Sequence, residues 1–174
     1  MATTDQERSH SDEIREIWKL FRETDRRFKE TEKMVNDLTG KWGKFVEGLV
    51  APGAIRMFRE RGVNIERTSQ RVTSHKGGEE MEIDVLCINE EDVLAIEVKS
   101  TLSVDDVNEH IERLNSFKRF FPEYKKKNVL GAVAGIVFNG NSDKFAYKQG
   151  LFVIGQTGDT VHILNDEQFK PRAW

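Results

Sequence analysis

Apolar positions recur along this chain with three different spacings, and the changes of spacing divide it. From Ile14 onward a seven-residue pattern runs through Ile14, Phe21, Phe28, Val35, Trp42 and Leu49 on one seam. Ile17, Thr24, Thr31, Leu38 and Phe45 form the partner seam. Heptads sustained over this length predict a coiled-coil helix. Charged residues between the seams pair at helical spacing: Lys19 with Glu23, Glu23 with Arg27, Asp25 with Lys29, and Arg26 with Glu30. Ser9 or Ser11 supplies an N-cap, with Asp12 and Glu13 in the first turn, and the polar stretch from Met1 to His10 is expected to fray. Such a helix cannot bury its stripe alone, so it must pack on a copy of itself, on another chain or on its own globular part. Self-association is the favoured expectation. Trp18, Leu20, Met34 and Val46 widen the stripe, which suggests more than two helices or docking on the globular part.

Gly40, Gly43, Gly48 and Pro52-Gly53 then loosen the repeat. Phe45 to Arg61 is predicted as one kinked helix or two short ones, ended by Gly62 as a C-cap residue. The spacing next falls to two. Val63 to Thr73 is a first strand, His75 to Gly78 a turn, and Met81 to Ile88 a second strand. Asn89 to Asp92 turns the chain into a third strand, Val93 to Lys99. Strict alternation places Ile83, Val85 and Cys87 on one face of the second strand and Glu82 and Asp84 on the other. On the third, Leu94, Ile96 and Val98 oppose Glu97 and Lys99. Ser103 and Asp106 then make a capping-box start, and Val104, Val107, Ile111, Leu114, Phe117 and Phe121 form a helical face stopped by Pro122. Val129 to Phe138 is a strand buried on both faces. A short helix from Ser142 to Gln149, a strand from Leu151 to Ile154 and an edge strand from Thr160 to Leu164 complete an α/β order.

Three acidic groups and a lysine thus stand on otherwise apolar strands: Glu82, Asp84, Glu97 and Lys99. Buried charges cost several kcal/mol unless they pair or hold a metal. Asp84 and Glu97 on neighbouring strands are placed to meet at one hard divalent cation. The plain alternative is a cross-strand salt bridge on a solvated sheet face. Glu82-Ile83-Asp84, twelve residues, then Glu97-Val98-Lys99 resembles the Asp…Glu-x-Lys signature of the PD-(D/E)xK phosphodiesterase superfamily. The likeness in element order spans about Phe45 to Ile154, but its specific part is these two strands, and Ile83 stands where the family name has proline. A coiled coil ahead of such a core also resembles a set of uncharacterised bacterial proteins.

The resemblance implies a restriction-endonuclease-like core: a central mixed sheet flanked by helices, preceded here by the long N-terminal helix. It implies three regions: a flexible 1–10, a coiled-coil helix over 11–44 and a nuclease-like domain over 45–174. It implies a nuclease using Mg²⁺ or Mn²⁺, with DNA as substrate. Asp84, Glu97 and the backbone carbonyl of Val98 would hold the ion, and Lys99 would orient or deprotonate the attacking water and stabilise the developing charge. Glu47, on the helix ahead of the first strand, matches a glutamate that often joins such sites; otherwise it is an exposed helical residue. Glu82 either supports the metal site or is a surface residue.

Composition changes this picture little. The chain has 174 residues and a formal net charge of -3, which argues against a dedicated DNA-binding module but leaves room for local phosphate binding at a metal. Arg56, Arg59, Arg61, Arg67, Arg71 and Lys76 gather positive charge upstream of the acidic strands, either to track a phosphate backbone or to solvate a surface. Cys87 is a lone cysteine and is expected to be a buried small hydrophobe. His110 is expected to pack rather than to ligate. No apolar run is long enough to span a membrane and the N-terminus has no apolar signal core, so the expected location is cytoplasmic. A rival reading makes the coiled coil the working part: a non-catalytic oligomeric adaptor whose core only binds nucleic acid or a partner protein. A nuclease that needs a protein partner is a third.

Overall fold

The computed structural model describes the backbone of residues 3–158 and 160–174, and side chains from residue 16 on except 18, 32, 35–39, 41, 42, 44–46 and 159. The chain divides into two compact units, residues 1–41 and 42–174. The first unit is helical where described. Its helix, α1, runs Thr3–Glu60 and so starts before Ser9 and continues into the second unit. Between residues 16 and 34, Ile17, Leu20, Phe21, Phe28 and Met34 are 59–73% exposed. The Thr24 and Thr31 hydroxyls donate to the carbonyls of Leu20 and Arg27 one turn back. Arg27 pairs with Glu23 at 3.0 Å and Lys29 with Asp25 at 2.9 Å, as the spacing requires. The expected seam residues Ile14, Trp18, Val35, Leu38, Trp42, Phe45 and Val46 have side chains outside the described residues.

In the second unit a six-stranded mixed sheet lies between two helical layers. The strands are β1 Arg67–Lys76, β2 Glu79–Ile88, β3 Asp92–Leu102, β4 Asn128–Phe138, β5 Phe152–Thr157 and β6 Thr160–Ile163, in that spatial order. β1, β2 and β3 are antiparallel neighbours, β3, β4 and β5 run parallel, and β6 returns antiparallel. The parallel steps need crossovers, supplied by α2 Val104–Phe120 and α3 Ser142–Lys148. One core layer joins Val50, Ala54, Met57 and Phe58 of α1 to Val85, Cys87, Leu94 and Ile96. The other joins Val107, Leu114 and Phe117 of α2 to Met81, Ile83, Leu86, Ala95 and Val133. β4 approaches α2 closely because Gly131 has no Cβ; one there would meet Leu114 and Leu151. Among the described residues no helix is long and apolar enough to cross a membrane.

Of the two readings of residues 45–61 the single helix holds: α1 continues through Pro52 to Glu60, and burial of Val50, Ala51 and Ala54 against the sheet holds it together around the proline. Two expectations need correction. The first strand begins at Arg67, not Val63. Gly62, at φ +79°, ends the helix as expected, and the Val63 N–H bonds back to Phe58, so the next residues form the exit turn. Lastly, Ile83 does not share a face with Val85 and Cys87. Met81 and Ile83 face α2, whereas Val85 and Cys87 face α1. The alternation breaks at Asp84, between the pairs Gln70↔Val85 and Val72↔Ile83, where Arg71 takes φ +52°.

Candidate active site

The break at Asp84 is where two strands part. The β2–β3 ladder ends at Val85↔Ile96. Beyond it β3 stays with β4 as far as Leu102, while β2 continues with β1 as a separate arm. The arm bends over α2: Ser74 Oγ donates to the Phe120 carbonyl at 2.9 Å, Lys76 Nζ to that of Arg119 at 2.8 Å, and Met81 and Ile83 are buried there. Burial of these two side chains against α2 favours opening the sheet.

Asp84 occupies the fork. The Val98 N–H, which would otherwise meet β2, donates to Asp84 Oδ2 at 2.7 Å. In a strand the N–H and C=O of one residue point to the same edge, so the Val98 carbonyl shares this edge with the Asp84 carboxylate. Burial pushes the Asp84 carboxyl up to about 6, and the charge of Glu97 adds to the rise; the Val98 hydrogen bond opposes it, while the charge of Glu47 makes a smaller upward contribution.

Glu97 is 3% exposed. Its oxygens are divided between two cations, Lys99 Nζ at 3.0 Å from Oε1 and Arg113 Nη2 at 2.7 Å from Oε2. Partial burial lowers the Lys99 pKa, but the adjoining Glu97 carboxylate more than offsets that, and the net value lies above that of an ordinary lysine. Lys99 is therefore a cation at neutral pH. His110 on α2 is fully buried, with Nε2 3.2 Å from the Ala95 carbonyl; burial first, then Arg113, hold it near 4 against the pull of Glu97, so it is neutral. The α2 N-terminus is fixed by the expected Ser103–Asp106 capping box.

The structure thus brings Asp84, Glu97, Lys99 and the Val98 backbone to one place, with Glu47 within electrostatic reach. It leaves Glu82 on the surface, its Oε1 3.4 Å from Arg71 Nε. Among the described residues no three His, Cys, Asp or Glu side chains form a ready-made metal cluster. Of the upstream cations, Arg61 is tied to the carbonyls of Asn165 and Asp166, Arg71 to Glu82 and Lys76 to Arg119; Arg56, Arg59 and Arg67 are exposed. Arg113 was not singled out from sequence. Its one signal is a charge at i+3 from His110, beside an otherwise apolar helical face. Cys87 is buried, its thiol pushed up to about 12 by that burial.

No family model matches the chain, and no curated protein matches it in sequence. Three solved structures are similar to part of this chain. A protein of unknown function, AF1548, is similar at TM-score 0.41 and 18% identity over 59% of this chain and 54% of that one. A repair endonuclease from Pyrococcus abyssi gives TM-score 0.41 and 17% identity over 59% and 43% of the two chains. EndoMS in complex with double-stranded DNA gives 0.39 and 13% over 62% and 43%. This chain therefore spans about half, or less, of each.

Proposed function

We propose that residues 42–174 form a PD-(D/E)xK-type nuclease that hydrolyses phosphodiester bonds with a bound Mg²⁺ or Mn²⁺, DNA being the expected substrate. The observation that supports this reading is the forked sheet: an aspartate set on the Val98 backbone where β2 leaves β3, facing a buried glutamate and a lysine. The donor set suits a hard cation. The charge of Glu97 raises the cost of ionising Asp84, and a divalent ion relieves it. Mg²⁺ ordinarily keeps several waters and takes only one or two carboxylates, so a ready-made cluster of three is not required.

In this reading Asp84, Glu97 and the Val98 carbonyl hold the ion, and Glu47 adds negative charge from α1. When bound, the cation polarises the phosphate and lowers the pKa of its water. Lys99, being protonated, serves the phosphate as a fixed positive charge rather than as a base. The Val98 N–H keeps Asp84 oriented, and burial of Glu97 excludes competing water from its oxygens.

The test is incubation of the full chain with branched, single-stranded and duplex DNA, with and without Mn²⁺, beside Asp84→Asn and Lys99→Ala. Mn²⁺-dependent cleavage lost in both variants supports the assignment. Failure of the wild-type chain to bind Mn²⁺ counts against it.

One observation favours a second activity in the other unit. Ile17, Leu20, Phe28 and Met34 are exposed large apolar side chains on a helix with heptad spacing. We infer that this helix self-associates through its seam, giving a homo-oligomer. If the core proves inert, this helix would make the protein an oligomeric adaptor for nucleic acid or a protein partner.

A further inference from the structure

We propose that Arg113 is a positioning residue: it holds the Glu97 carboxylate in the metal-free protein and yields that contact to a divalent cation. The inference rests on the metal-dependent reading above. A glutamate as buried as Glu97 must be neutralised, because an uncompensated charge in a protein interior costs several kcal/mol. Two cations share the task and are not equivalent. Lys99 lies one pleat along the same strand and hydrogen-bonds Oε1. Arg113 reaches across from α2 to Oε2.

The Arg113 contact is close but poorly aligned. Nη2 sits 2.7 Å from the carboxylate, yet neither Nη2 nor Nε makes a directed hydrogen bond, although both atoms are buried. A guanidinium at its strongest binds a carboxylate through two parallel N–H bonds. Here the charge is used and the fork is not. Such a contact neutralises Glu97 while remaining easy to exchange. A cation drawing on Glu97 and Asp84 competes with Arg113 for the same oxygen, so the guanidinium and the metal are linked with opposite sign. The released N–H groups, already lacking partners, then become available to an anion beside the ion.

The experiment measures Mn²⁺ affinity of the full chain by calorimetry for wild type, Arg113→Gln, Arg113→Met and Arg113→Lys. Loss of the competing charge should tighten Mn²⁺ binding in the Gln and Met variants by about 5-fold or more, the low end of linked-site couplings. Arg113→Lys should stay near wild type. A merely structural arginine would instead leave affinity unchanged or weaken it, and either result in a folded variant overturns the proposal. Should the Gln and Met variants not fold, the wild-type Arg113 Nε–H resonance, assigned by comparison with Arg113→Lys, is followed during Mg²⁺ titration. Movement of that resonance as the site fills supports exchange, and a stationary one refutes it. No Mn²⁺ binding by wild type would instead sink the metal reading itself, a result distinguishable from tight binding indifferent to Arg113.

Discussion

Replacing Asp84 by asparagine should make the metal-free protein more stable. The folded chain holds this carboxyl at about 6 against an ordinary 3.8. At 1.36 kcal/mol per pKa unit the full shift is about 3 kcal/mol of penalty on the ionised form. Asp84 keeps part of its surface in water, and solvent screening reduces this to about 1–2 kcal/mol. An amide removes the charge and retains an oxygen that accepts from Val98, so the backbone restraint survives. For a chain of this size the gain corresponds to a melting temperature higher by about 3–6 °C. The size of the effect depends on pH. Below about pH 4 the carboxyl is protonated in both folded and unfolded chains and the penalty vanishes; it grows between about pH 4 and 6 and is complete above. Thermal unfolding of wild type and Asp84→Asn at pH 8 and pH 4 should therefore show a gap that closes at the lower pH. Saturating Mg²⁺ should close it from the other side by stabilising only the wild type. A variant less stable than wild type at pH 8, or a gap independent of pH, would refute the idea that the fold bears a cost at Asp84 for the sake of the ion.

Lys99→Ala should lower the rate of Mn²⁺-dependent cleavage by about 10²–10³, as loss of one positioned charge-stabilising group does, while Mn²⁺ affinity measured by calorimetry stays within a few-fold; unchanged turnover would remove Lys99 from the mechanism. Gly131→Ala should destabilise the second unit by about 1–3 kcal/mol through overpacking against Leu114 and Leu151, read as an earlier urea midpoint, whereas an unshifted midpoint would mean α2 is free to move away. Ile17→Glu with Phe28→Glu should convert the chain to a monomer in analytical ultracentrifugation without altering Mn²⁺ affinity; an unchanged sedimentation coefficient would dismiss the seam as an interface.

The order of elements in residues 42–174 was legible in the chain because each is announced locally. Alternating residues announce β2 and β3, an unbroken apolar run announces β4, and the Ser103–Asp106 pair marks the start of α2. The charges on β2 and β3 were legible too, since Asp84, Glu97 and Lys99 interrupt apolar strands. Several matters were not. Alternation along β2 implied one continuous face, yet Ile83 and Val85 lie on opposite faces, because the strand abandons β3 to bury Met81 and Ile83 against a helix more than twenty residues further along the chain. Arg113 carries no local mark, since its partner is on another element. Nor does local pattern tell which carboxylate bears the strain: Asp84 and Glu97 look alike in sequence, but Glu97 has two cations and Asp84 a single backbone N–H in a half-buried fork. Periodicity follows from neighbours along the backbone, so the chain alone determined the elements and the residues worth watching. Burial, pairing and pKa follow from neighbours through space, so only the tertiary structure decided how those residues are charged and what holds them.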